Sequence, residues 1–493
     1  MIGYDRKRRT LPGATREDYI KAGYIQSNGL DRNRLERSGL QGNGLNNSNF
    51  QSNDLEIGGL QSGGLQSGGL HSGAMETNGL QNNGLQSDGL HNSNLQGNGL
   101  HSNDFQSNGL ERSGLWRNRY QKKAAGTGRA WIELDMGRLL HNVGILRSIL
   151  PGACQLMPAV KANAYGHGAA AISRELNRLG VSAFCVASAA EGVELRKKKI
   201  KGEILVLGYT DPEQFRLLRR YRLMQTVVDY GYAKKLNAFG KRITVHIKVD
   251  TGMRRLGEPA ESVENILKIL NCENLVIAGI YSHFSAQDCG DPVDCAITQS
   301  QIDGFNNVLS RIREEGFDIP KAHIQNSFGV FARPDLAFDY ARVGIALYGA
   351  YQSSRGEAGA LLPVLSLKAR VSAVKAVRAG ETVGYGRAFA AGRDMKIAVL
   401  SIGYADGIPR AFSCGVGRVL INGEPAPIVG CVCMDQTTVD VTDIDGVSQG
   451  DVAVFIGRDG GAEISIMDFA EAAGTIPNEV LSRLGSRLER CVM

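Results

Sequence analysis

From Leu30 to Tyr120 a large apolar residue returns at every fifth position, nineteen times in one frame, with Gln, Ser, Asn, Gly and His between. That period defeats the two commonest ways of burying a stripe. On an α-helix five residues advance the chain by about 500°, so successive leucines spiral round the axis. In a flat strand an odd spacing sends alternate leucines to opposite faces. Two readings remain. A solenoid turning one corner per unit would bury all of them, whereas a tract this rich in Gly and side-chain amides could also stay disordered, lacking apolar surface to offset its chain entropy. His71, His91 and His101 fall at variable repeat positions and read as solvated.

Composition bounds what the rest of the chain can be. A net charge of +6 on 493 residues is too slight to call for a nucleic-acid partner. The nine cysteines are odd in number and never spaced C-x-x-C, which argues against disulfides or a metal site and fits a reducing cytoplasm. Cys431 and Cys433 read as core residues on one face of a strand. No stretch is apolar enough to span a membrane, and the start lacks the apolar run of a signal peptide, so a soluble cytoplasmic protein is expected.

The repeat tract resembles the pentapeptide-repeat proteins, whose four-sided parallel β-helix buries one Leu or Phe per unit. We divide the chain into a basic tail (1–26), the low-complexity repeats (27–122) and globular sequence beginning near Ala130. There, β-rich runs alternate with helical patterns: 156–161, 183–188, 204–208, 224–228, 244–250, 276–283, 322–327 and 340–349. Eight such alternations predict a (β/α)8 barrel over 128–363, with its active site at the carboxyl ends of the strands. Beyond Leu362 the texture turns all-β with glycine turns, which predicts a smaller β domain over 364–493.

The first expected barrel strand ends in Pro158-Ala-Val-Lys161-Ala-Asn-Ala-Tyr165-Gly-His167-Gly168. A lysine between an apolar strand and a small-residue loop is desolvated, which lowers its pKa and makes its amine a nucleophile. The segment is similar to the pyridoxal-phosphate lysine motif of the alanine racemase family. Further blocks follow in that family's order: Lys248-Val-Asp-Thr-Gly-Met-Arg-Arg255, Tyr281-Ser-His283-Phe, Asn326-Ser327, Arg342-Val-Gly344-Ile345, Ile402-Gly-Tyr404-Ala-Asp-Gly and Cys433-Met434-Asp435-Gln436.

The resemblance implies a role for each position. Lys161 would hold pyridoxal 5'-phosphate covalently and then act as base on one face of the substrate α-carbon. Tyr404, from the other subunit of a homodimer, would serve the opposite face. Tyr165, Ser327 and the backbone of Gly344 and Ile345 would cradle the phosphate, and His283 would lie beside the ring. Arg342 would face the pyridine nitrogen. Decarboxylases of basic amino acids, which share the architecture, place a carboxylate there. Arg255 and the backbone of Met434 would bind the substrate carboxylate, and Lys248 matches a lysine often carbamylated in the family. At Asn478 the family commonly has tyrosine, so a roomier, more polar pocket accepting serine as well as alanine is expected. The implied activity is alanine racemisation supplying D-alanine for peptidoglycan, with serine racemisation as the alternative. A non-enzymatic reading makes the repeats an interaction scaffold fused to this enzyme.

Overall fold

The structure, a computed structural model, describes Gly126 and residues 128–286, 291–351 and 360–493. The tail and the repeats lie outside the described residues, and with them the choice between solenoid and disordered tract.

Eight parallel strands form the first part: Gln155–Leu156, Ala183–Val186, Glu203–Val206, Met224–Val227, Ile243–Asp250, Leu275–Tyr281, Ala322–His323 and Tyr340–Ala341. The ring closes. Cys185 N donates to Pro158 O (2.8 Å) and Val160 N to Cys185 O (2.9 Å), joining the first strand to the second. Asp339 N donates to Ala322 O (2.9 Å) and Arg342 N to Gln325 O (3.0 Å), joining the seventh to the eighth, which pairs with the first. The expected barrel is thus present.

Alternation along the strands divides two environments. Phe184, Val186, Ile204 and Val206 face outward into the main core under the helices, while Ala183, Cys185, Leu205, Met224 and Tyr281 pack inside with Met157 and Ala159. Each helix has a local reason to start where it does. Ser188 and Glu191 form a reciprocal capping box. Asp135, Asp229, Asp291 and Asn326 cap other first turns with their side chains. Several strands are shorter than predicted, because the chain leaves extended geometry early at the carboxyl ends. Residues 324–327 give way to the cap at Asn326, and 342–349 turn at Gly344 into a short 3-10 helix, Ile345–Tyr348.

The second part is a nine-stranded sheet whose long strand, Leu365–Val377, pairs with Val452–Asp459 at one end and Met395–Leu400 at the other. Its register shifts between Val371 and Ala373. One sequence boundary needs correcting: Ala130–Leu134, placed at the start of the barrel segment, pairs antiparallel with Leu365–Val377 and parallel with Glu489–Val492. The chain therefore begins its globular part in the β sheet and crosses to the barrel through helix Met136–Ile149. Nothing in the local sequence of a five-residue apolar strand says which sheet will take it. Cys431–Cys433 is also not the strand expected but an irregular loop, because its neighbourhood bonds to a turn rather than a ladder: Cys433 O accepts from Tyr404 N (3.0 Å).

Candidate active site

Lys161 opens a turn in which Ala162, Asn163, Ala164 and Tyr165 all have φ between 50° and 55°. Four consecutive non-glycine residues in left-handed geometry cost roughly 1–2 kcal/mol each, so the surroundings must over-determine the turn. They do. Glu191 accepts from Ala162 N (2.7 Å), Asn163 Oδ1 from Ala169 N (2.8 Å), and Arg490, on the last strand of the β sheet, donates to Gly166 O (3.1 Å). The His167 ring stacks on Tyr348 at 4.4 Å, and Gly166 has φ 77° where a Cβ would lie 2.1 Å from Leu481 O. The turn is thus held from the barrel side and the β-domain side together. Burial lowers the Lys161 pKa, and Arg255 lowers it further.

Beneath the turn lies a buried cationic layer. The Arg342 guanidinium donates to His323 Nδ1 (2.7 Å), His283 Nδ1 (3.0 Å), Ser282 O (2.6 Å) and Ile324 O (3.1 Å), and sits 4.8 Å from the Tyr281 ring centroid. Arginine only donates, so both imidazoles must accept at Nδ1. The proton of His323 is then on Nε2, which donates to His246 Nδ1 at 2.9 Å. Burial, followed by the charge of Arg342, holds His283 and His323 well below the usual histidine range. Burial, then Lys321 and Arg342, drops His246 to about 3. This layer is a fixed field of neutral imidazoles around one permanent cation.

At its rim, Ser327 Oγ accepts from Gly344 N (2.9 Å) and Ala346 N (3.3 Å), beside Ile345. A Cβ on Gly344 would stand 2.7 Å from the Tyr165 hydroxyl, so only glycine lets that phenol approach. These groups make a small cradle of hydroxyls and backbone donors, suited to an anion. Lys248 is buried, donates to Val249 O (2.6 Å) and lies 5.4 Å from the Tyr281 ring centroid. Desolvation, with Arg342 adding, lowers its pKa to about 7. Arg255 is exposed on the loop after Asp250, and its charge acts on Lys161, Lys248 and His283.

The barrel residues singled out from sequence therefore converge. Tyr404 and Met434 do not join them: no hydrogen bond, ion pair or ring contact among the described residues links either side chain to the barrel set. They stand together on the β domain, with Ala405 N donating to Met434 O (3.0 Å), and are 42% and 52% exposed. Asn478, half-buried, sits on helix Pro477–Ser482, which packs against the Lys161 turn. Sequence reading passed over His323, Glu191 and Arg490 and gave Tyr348, at the end of the Arg342 block, no role. His323 alone had a legible signal, a polar residue in an expected buried strand; the others act through contacts distant in sequence.

Comparison with known proteins agrees with this geometry. Residues 134–352 match the family "Alanine racemase, N-terminal domain" and 364–492 match "Alanine racemase, C-terminal domain". An amino-acid racemase of Enterococcus faecalis is 43% identical over 370 residues, 74% of this chain but 52% of that protein, so the chain spans about half the length of that relative. Alanine racemase 1 of Caldanaerobacter subterraneus is 39% identical over 73% of this chain and 93% of its own. Among solved structures, an alanine racemase of Clostridium difficile 630 superposes with TM-score 0.70 at 32% identity, covering 75% of this chain and 97% of its own. One from Bacillus anthracis with bound L-Ala-P gives 0.70 at 29%, covering 75% and 96%.

Proposed function

The chain belongs to the alanine racemase family, and from that membership we propose that it interconverts L- and D-alanine with pyridoxal 5'-phosphate. The residues fit such a group. The amide and hydroxyl cradle of Ser327 and Gly344 with Tyr165, Ile345 alongside, suits a phosphate, and at Gly344 a side chain would fill the space that phenol needs. Lys161 has the lowered pKa an amine needs to attack an aldehyde, and Arg342 offers a buried cation that donates without giving up its proton. When bound, the cofactor would supply an aldehyde for amines and a ring that draws electrons from the α-carbon. Because guanidinium stays protonated, a ring nitrogen facing Arg342 would remain uncharged, which favours simple proton exchange over deeper bond cleavage.

Two bases on opposite faces invert a stereocentre in either direction. Lys161 would serve one face and Tyr404, from a second copy in a homodimer, the other. The exposure of Tyr404 and Met434, neither side chain bonded to the barrel cluster among the described residues, supports a site completed by a partner. Arg255 and the backbone of Met434 would hold the substrate carboxylate. With a pKa near 7, Lys248 carries a share of neutral amine able to add carbon dioxide. The N–C bond would form with release of one amine proton to solvent, and the resulting carbamate would orient Arg255. The product would feed peptidoglycan synthesis in the cytoplasm.

The observation that carries this reading is Lys161 on a locked left-handed turn at the mouth of the barrel, inside a cationic cluster. Its test is direct: protein given pyridoxal phosphate should turn yellow and racemise L-alanine, and Lys161→Ala should do neither. A wild-type protein that stays colourless ends the proposal. Asn478 favours a second reading, that serine is also turned over. A hydroxymethyl-for-methyl choice is worth about 1–3 kcal/mol. Asn478→Tyr should shift the serine-to-alanine ratio of kcat/KM downward by about tenfold or more, and an unchanged ratio removes the role of this residue.

A further inference from the structure

Behind the turn that carries Tyr404 lies a fully buried carboxylate, Asp406. It accepts from both terminal nitrogens of Arg129 (3.0 and 2.6 Å) and from Gly403 N (3.1 Å), and stands 3.2 Å from Arg487 Nε. Arg129 also donates to Ser401 O (2.6 Å), and Arg487 to Asp435 (2.6 Å), the residue after Met434. A bidentate arginine fixes both oxygens of a carboxylate and hence its plane. Here that plane matters, because the same carboxylate closes the turn: Asp406 N donates to Gly403 O (3.0 Å) while Gly403 N donates back to Asp406. Gly403 packs directly against the Met434 loop, since a Cβ there would lie 2.3 Å from Cys433 O and no side chain fits between them.

We propose that Arg129 is a positioning residue for Tyr404: through Asp406 it sets where the phenol stands relative to the substrate. The arginine is itself anchored. Its carbonyl accepts from Arg370 N (2.8 Å), Gly126 O accepts from the Arg370 side chain (3.0 Å), and the Arg370 guanidinium lies over Trp131 at 5.1 Å. Arg129, next to strand Ala130–Leu134, thus ends on the carboxylate beneath Tyr404, with Arg487 tying the same carboxylate to the Met434 loop. The inference rests on the racemase reading of Tyr404.

The test uses full-length holoprotein and deuterium oxide, following loss of the α-hydrogen from L-alanine and D-alanine separately. Arg129→Gln should slow exchange from the enantiomer that Tyr404→Phe slows most, which on the racemase reading is L-alanine, by about ten- to a hundredfold. Exchange from D-alanine and the cofactor absorbance should stay near wild type. Arg129→Lys, which keeps the charge but loses the fork, should recover part of the loss. Equal slowing of both enantiomers, or none, overturns the proposal. If the Gln variant does not fold, the Lys variant decides by the same L-selective criterion. Wild-type protein that exchanges neither enantiomer sinks the racemase reading itself, a result distinct from a symmetric loss confined to the variants.

Discussion

Lys248 shows how burial gives a side chain a property its sequence cannot display. An unfolded lysine titrates near 10.4, and here desolvation brings the group to about 7. Between those values the unfolded chain binds more protons than the folded one, so this residue makes stability rise with pH across that window. In buffers free of carbon dioxide, the melting temperature of wild type should gain on that of Lys248→Met between pH 7 and pH 10; parallel curves would refute the shift. His167 works at the other end. Burial drops it from 6.5 to about 4, so its contribution falls as the pH is lowered through that interval, and His167→Asn should melt with a flatter acid limb. Both residues sat in recognisable motifs, and their identities were legible. Their protonation was not, because it depends on enclosure by other strands and helices and, at Lys248, on Arg342.

The decisive element is the left-handed turn from Lys161 to Tyr165. Sequence marked it as a small-residue loop with a reactive lysine, but alanines and asparagine give no hint of four consecutive positive φ values. Those are held by Glu191, Arg490 and the carbonyl of Leu481, which are distant in the chain, together with the turn's own Asn163 bonded to Ala169 N. Gly166→Ala, forced onto a left-handed backbone against Leu481 O, should destabilise the protein by more than the roughly 1–2 kcal/mol of the backbone term. It should also weaken cofactor retention. A denaturation curve and a cofactor titration check the two effects, and wild-type values for both would show that the turn tolerates a side chain. The short strands Ala322–His323 and Tyr340–Ala341 carry a similar lesson. Apolar pattern ran on past their ends, while the cap at Asn326 and the turn at Gly344 ended them early, and Gly344 N and Ala346 N turn to Ser327 Oγ instead of a ladder.

At the scale of the whole molecule, the proposed chemistry is divided between the barrel and the β domain, and Tyr404, the proposed second base, is exposed. Mixing Lys161→Ala with Tyr404→Phe protein, each inactive alone, should restore racemisation when subunits exchange, because a hybrid dimer contains one intact site. Persistent inactivity after verified subunit exchange would mean that the site is not shared. The alternation of apolar runs was enough to identify a barrel and a following β domain, since side-chain period is a local property of the chain, while the residues that converge at the barrel mouth were legible through the resemblance of their motifs to the alanine racemase family. Tertiary structure alone decided that Ala130–Leu134 belongs to the far sheet, that Cys431–Cys433 is a loop, and that Arg129 reaches Asp406 across 277 residues. The physical reason is the same in each case: a hydrogen-bond partner or a dielectric environment is supplied by whatever folds alongside, and no local pattern records it.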